Sequence, residues 1–189
     1  MLSRDRLIRM VRRSQTYISI LAFVAVFFIC WKFTHLDITQ IQLSNWGKSG
    51  WVARLWNTAV CGFAISIFAN SALYLRSATR LKYRNAFYAL FGILSASLFM
   101  VGFFNIDHMT VHNISAGIYF FFYPLTIFVL AYFNRKFMSY SDWLAMMVLS
   151  ASMAAFPVAL MGAFKGKAIA EIAHTILAIV YNIIIARRD

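Results

Sequence analysis

Long apolar runs alternate with short polar and charged clusters along the whole chain, at about 15–34, 55–75, 85–105, 113–133, 143–163 and 168–186. Each run holds roughly 20 residues, the length an α-helix needs to cross a hydrocarbon core about 30 Å thick. Lipid offers no partner to backbone amides, and the runs are too long for barrel strands, so each is expected to be a helix that satisfies its own backbone. The pattern predicts an all-α polytopic membrane protein. Residues 1–189 are expected to form a single domain, a six-transmembrane-helix bundle with short connections.

Composition points the same way, with 62% of residues hydrophobic and 13% charged, against about 45–50% apolar in a soluble domain. The net charge of +12 would suggest nucleic acid in a soluble chain. Here the basic residues lie in loops and termini separated by membrane, so they read as topology signals and contacts to anionic lipid. No nucleic-acid partner is expected.

Thirteen Lys and Arg fall in the segments on one side (Arg4 to Arg13, Arg76 to Arg84, Arg135, Lys136, Arg187 and Arg188) and five on the other (Lys32, Lys48, Arg54, Lys165 and Lys167). This bias predicts that both termini are cytoplasmic and that the chain is integral to the cell (inner) membrane, multi-pass. The arginines before the first span resemble the start of a signal peptide. No small-residue cleavage site follows, so that span is expected to remain.

The longest connection, about 35–54, belongs to the outer side and carries Trp46 and Trp51, with Trp56 just beyond. Indoles favour the headgroup region, so this loop is expected to lie along the outer surface, and a membrane-protein partner would dock through helix faces or through this loop. The loop from Arg76 to Arg84 reads as a basic hairpin against anionic headgroups. Cys30 and Cys61 form no metal or disulfide framework by themselves. They read as two buried thiols, although a bridge between them is open.

Polar positions inside the spans mark packing or function. Asn57, Gly62, Ser66, Asn70 and Ser71 fall in the second run, Gly92, Ser95, Ser97 and Gly102 in the third, and Ser150, Ser152, Pro157 and Gly162 in the fifth. Small residues let helices approach closely, so most of these read as packing.

One concentration stands apart. Asp107, His108 and His112 lie at the outer ends of the third and fourth spans, and Glu171 and His174 near the outer end of the sixth. Three of the four histidines and two of the six acids therefore collect at one depth. His108 and His112 share a face if the fourth helix starts early, and Glu171 and His174 are neighbours three apart.

Three readings follow. The cluster is a structural knot in which Glu171 pairs with His174 or a hydroxyl. Alternatively, His108, His112, His174 and Glu171 hold a divalent metal such as zinc, whose bound hydroxide would attack a lipid at the outer leaflet. In the third, Glu171 titrates in a proton-coupled transport pathway. No compact zinc motif, nucleophile elbow, Walker loop or dinucleotide fingerprint occurs. Haem is not expected, because no histidine lies near the middle of a span.

The order of short motifs is informative. Arg54-Leu55-Trp56-Asn57 leads into the span with Gly62, and Met100-Val101-Gly102-Phe103-Phe104 ends the third. His112 opens an aromatic-rich fourth span, and Glu171 stands near the start of the sixth. Taken together, this resembles the domain of unknown function 998 family, six-span prokaryotic membrane proteins distantly similar to the Frag, DRAM and Sfk group.

The resemblance covers nearly the whole chain and marks Asn57, Gly62, Gly102, Phe104, His112 and Glu171. The family usually has a proline where Asn105 stands here. It implies the six-helix fold and a lipid-facing role but no chemistry. The leading expectation is a lipid-interacting or accessory/assembly subunit, with a metal-dependent lipid hydrolase and a proton-coupled transporter as rivals.

Overall fold

The computed structural model describes residues 4–35, 37–48, 50–104 and 106–188. Asn105, where the family usually has proline, lies outside the described residues. Six α-helices carry the six apolar runs: α1 (Arg4–Thr34), α2 (Gly50–Ser77), α3 (Arg84–Phe103), α4 (Met109–Asn134), α5 (Tyr140–Ala163) and α6 (Ala168–Arg187). All six are long and apolar enough to cross a membrane. Each packs on its successor, and α6 returns to α1 and α2, so the chain closes into a ring. Both termini lie at one end, the terminal face; the long α1–α2 connection lies at the other, the loop face.

The helices overrun the apolar runs most at α1, which starts at Arg4 rather than near residue 15. Its 31 residues rise about 46 Å at 1.5 Å per residue, well beyond a 30 Å hydrocarbon core. The extra turns have a specific task. The Arg12 side chain is fully buried; its guanidinium donates to Ser77 Oγ at 3.1 Å and to the Arg188 carbonyl. Arg13 donates to the carbonyls of Ala186 at 3.3 Å and Arg187 at 3.0 Å. Cations thus meet the carbonyls that the end of α6 leaves without helical partners.

The basic loop between α2 and α3 is tied to the bundle as well. The Lys82 N–H donates to Asn134 Oδ1 at 2.6 Å, which fixes it to the end of α4.

Midway across the bundle, Asn70 Nδ2 on α2 donates to both the Asn182 carbonyl and its side-chain oxygen on α6, at 3.0 and 2.9 Å. Asn182 Nδ2 donates to Tyr123 Oη on α4 at 3.0 Å. Three helices are joined by these bonds, each of which contributes about 0.6 kcal/mol on average in a membrane. Small residues behave less uniformly than expected. A Cβ on Gly102 would sit 2.9 Å from the Asn57 carbonyl and 2.9 Å from Cys61 Sγ, so glycine is what allows α2 and α3 to touch there. Gly62 faces open space and brings no helices together. Both cysteines are free.

Helix α5 is the loosest element. Its buried residues, Met146, Leu149, Ser150 and Met153, all lie in the half nearer the terminal face. From residue 154 to residue 163 none is buried, and Pro157 falls within that stretch. A ring of helices with one half-detached member has a lateral opening.

Candidate functional site

The loop face is built around the α1–α2 connection, which enters the bundle rather than lying flat along a surface. After an exposed Asp37, whose carboxylate accepts from the Thr39 amide at 2.9 Å and hydroxyl at 2.7 Å, the chain runs beside the α5–α6 turn. There the Gly166 amide donates to the Thr39 carbonyl at 2.9 Å and the Ala168 amide to the Ile41 carbonyl at 2.9 Å. The approach is so close that any Cβ at Gly166 would strike the backbone of Gln40 and Ile41.

A 3-10 helix follows at Leu43–Gly47. Its Trp46 is only 2% exposed and packs edge-on to Phe27 at 5.2 Å and Trp56 at 5.0 Å between ring centroids. This corrects the expectation of a surface-lying indole loop: Trp51 is exposed, whereas Trp46 and Trp56 are core. The physical reason is area, because large aromatic rings gain more by packing together than by sitting half-wet.

Two side chains clamp that 3-10 helix. Glu171 Oε2 on α6 accepts the Leu43 amide at 2.7 Å, and Asn57 Nδ2 on α2 donates to the Gly47 carbonyl at 3.4 Å. His112 holds the neighbouring turn, with its Nδ1 2.9 Å from the Phe104 carbonyl at the end of α3. Five of the six positions marked by the family pattern, Asn57, Gly102, Phe104, His112 and Glu171, therefore build one corner of the molecule; Gly62 stands apart. Beneath the clamp lies a cavity of about 70 Å³, with Asn57, His112 and Glu171 among its lining residues. It has room for a few water molecules.

Beside this corner, where α5 leaves the ring, a groove of about 910 Å³ runs between α4, α5 and α6. Its walls are apolar, including Gly117, Phe121, Pro124, Ala154 and Val158. At the loop-face end the lining turns polar, with Gln42, His112, Lys167, Glu171 and His174. Lys167 is exposed there and brings a cation to this end of the lining.

His174 is the most deeply set of these groups, at 1% exposure. Its ring sits among α4 aromatics, 4.7 Å from Phe120 and 5.6 Å from Tyr119 between centroids. On the neighbouring α5, the Met153 carbonyl has no helical donor, because the residue four further on is Pro157, which has no N–H to offer it. His174 Nε2 is buried without a partner.

The structure divides the residues expected to act together. Asp107 and His108 are exposed in the turn before α4, and His108 lays its ring edge-on to Phe104. His112, Glu171 and His174 line the groove, but His112 and Glu171 are each engaged with backbone, at the Phe104 carbonyl and the Leu43 amide. Glu171 was expected to pair with His174 or a hydroxyl; its partner instead comes from the long connection. Among the described residues, no group of three or more His, Cys, Asp or Glu side chains stands close enough together to hold a metal ion.

Sequence reasoning did not identify Trp46 as core, Gly166 as a contact point, or Tyr123 and Asn182 as a polar junction. The spacing of Met153 and Pro157 was a usable signal for a freed carbonyl.

No curated protein and no solved structure matches the chain. A family described as Protein of unknown function (DUF998) matches residues 17–188. That span contains all but the first turns of α1 and reaches the last turn of α6. The chain, an integral membrane protein, therefore belongs to the DUF998 family.

Proposed function

We propose that this protein is a lipid-binding, non-catalytic accessory subunit of the cell membrane, which holds one amphiphile in the groove between α4, α5 and α6. In this reading both termini are cytoplasmic, in line with the basic residues of the terminal face, and the groove opens into the outer leaflet. The observation that carries the proposal is the groove itself: a lateral opening of about 910 Å³, apolar along its length and polar at one end. That polarity matches a lipid, whose chains need apolar walls and whose head needs hydrogen-bond partners near the interface. The size lies toward the upper end of ordinary ligand clefts, about 300–1,000 Å³.

Apolar surface facing acyl chains costs nothing in a bilayer, so a bare groove alone would be an ordinary lipid contact. What sets this one apart is its polar end, where buried groups at bilayer depth need partners.

The test is native mass spectrometry of the full chain released from mild detergent. Gly117 lines the groove and has open space where a Cβ would stand, so Gly117→Phe fills the groove without crowding the core. Gly62 has the same open space away from the groove, and Gly62→Phe is the control. The wild type and Gly62→Phe are expected to carry a lipid that Gly117→Phe has lost. A wild type without lipid, or equal retention in both variants, would overturn the proposal.

A further inference from the structure

We infer that the occupant of the groove is a glycerophospholipid, whose phosphodiester sits at the loop-face rim against the Lys167 ammonium and the side-chain amides of Gln42 and Asn113. The inference rests on the groove being a lipid site and adds the chemistry of the head.

Three elements meet to make that rim. The Ala168 amide donates to the Ile41 carbonyl at 2.9 Å, which sets Gln42, the next residue of the long connection, beside Lys167, the residue before α6. Asn113 comes from the first turns of α4. All three side chains line the groove. Lys167 and Asn113 are exposed and Gln42 is only partly buried, so their polar groups are within reach of a ligand. Among the described residues, none of the three side chains has a hydrogen-bond or ion-pair partner.

Each of them supplies donors. An ammonium has three N–H groups and a compact charge, and a primary amide has two N–H groups. Phosphate oxygens accept, and hydrogen bonds assisted by charge are the stronger kind. Lys167 is the one Lys or Arg among the described residues that line the groove, and a head made only of hydroxyls and ester carbonyls gives it no counter-ion. The apolar walls run on from this rim through Phe121, Pro124 and Val158, so donors and hydrocarbon follow one another in the order in which a phospholipid presents phosphate and chains.

The same end limits the charge of the head. Glu171 is the one acid among the described lining residues, and it lies four positions into α6 from Lys167, one helical turn away on the same face. Its Oε2 accepts the Leu43 amide. A carboxylate there opposes a second negative charge close by. A phosphodiester, with one charge, therefore fits better than a phosphomonoester, which has most of a second at pH 7.

The probes are dioleoyl phosphatidylglycerol, dioleoylglycerol, which keeps the chains and lacks the phosphate, and dioleoyl phosphatidic acid, the monoester. Binding to the full-length protein in nonionic detergent is measured by native mass spectrometry. Phosphatidylglycerol is expected to bind about tenfold more tightly than dioleoylglycerol, between the weight of an exposed ion pair and that of a charge-assisted hydrogen bond. Phosphatidic acid should bind no more tightly than phosphatidylglycerol. Lys167→Gln is expected to lower the first ratio to about threefold or less. Lys165→Gln is the control, because Lys165 is exposed in the same turn but does not line the groove, and it should leave the ratio unchanged. Both side chains are exposed, so neither substitution threatens the fold. Glycerophosphoglycerol, the same head without chains, should not displace the lipid.

Equal affinity for phosphatidylglycerol and dioleoylglycerol, tighter binding of phosphatidic acid, or a ratio that Lys167→Gln leaves unchanged would overturn this inference while leaving the groove as a lipid site. Equal loss in both lysine variants would do the same, since it would mean a general attraction of the basic turn. Displacement by glycerophosphoglycerol would show that the rim takes a free phosphodiester and overturn the lipid assignment of the head. Failure of every lipid to bind, with Gly117→Phe no different from wild type, would instead overturn the groove reading itself.

Discussion

The carboxylate of Glu171 accepts the backbone amide of Leu43 at 2.7 Å, joining α6 to a residue 128 positions earlier in the chain. The bond is partly sheltered, since the 3-10 helix that contains Leu43 is itself tucked into the bundle. It also keeps Glu171 at the mouth of the groove with one oxygen engaged and the other open.

A charge-assisted bond to a buried amide contributes about 1.5–3 kcal/mol. Glu171→Ala should therefore lower the unfolding free energy in detergent by about that amount. Trypsin cleavage after Lys48, exposed just beyond the clamp, should become faster. Glu171→Gln keeps an acceptor oxygen and should lose less than half as much. If Gln is as damaging as Ala, the charge matters for something other than this bond.

Gly102 and Gly62 lie on adjacent helices and should respond in opposite directions. At Gly102 a methyl group would press on the Asn57 carbonyl and Cys61, so Gly102→Ala should cost about 1–3 kcal/mol, the usual range for overpacking. At Gly62 nothing lies in the way, and alanine is the better helix former by up to about 1 kcal/mol. Thermal unfolding of both variants in the same detergent decides the matter, and a neutral Gly102→Ala would mean that α2 and α3 can separate freely.

Asp37 lies in the connection on the loop face, outside the spans. The Thr39 hydroxyl, and after it the Thr39 amide, hold its pKa below the ordinary carboxylate value. A folded value lower than the unfolded one means that the turn gains support above the ordinary carboxylate range and loses it as pH falls through the lowered value. Thr39→Val removes the hydroxyl donor and should move the Asp37 titration back toward the ordinary value in a ¹³C carboxyl experiment. An unchanged titration would show that the amide alone sets it.

Local pattern was enough for the helices. Apolar runs of bilayer length leave a backbone in lipid no alternative to helix, so all six could be counted from the sequence, with ends misplaced mainly where α1 and α2 extend past the core. The family pattern also marked Asn57, Gly102, His112 and Glu171, which the structure gathers at one corner.

What those residues touch was decided only by the tertiary structure. The partner of Glu171 is a backbone amide, and every residue has one, so no side-chain spacing could single out Leu43. Trp46 looked like an interfacial indole because residue type records affinity for the interface but not the presence of Phe27 and Trp56 beside it. The groove needed three facts at once: α5 loosening after Met153, Pro157 falling within the loosened stretch, and His174 brought from α6 to the polar end. Helix formation in lipid follows from interactions within about four residues along the chain, whereas the site depends on contacts between helices far apart in sequence, which only packing brings together.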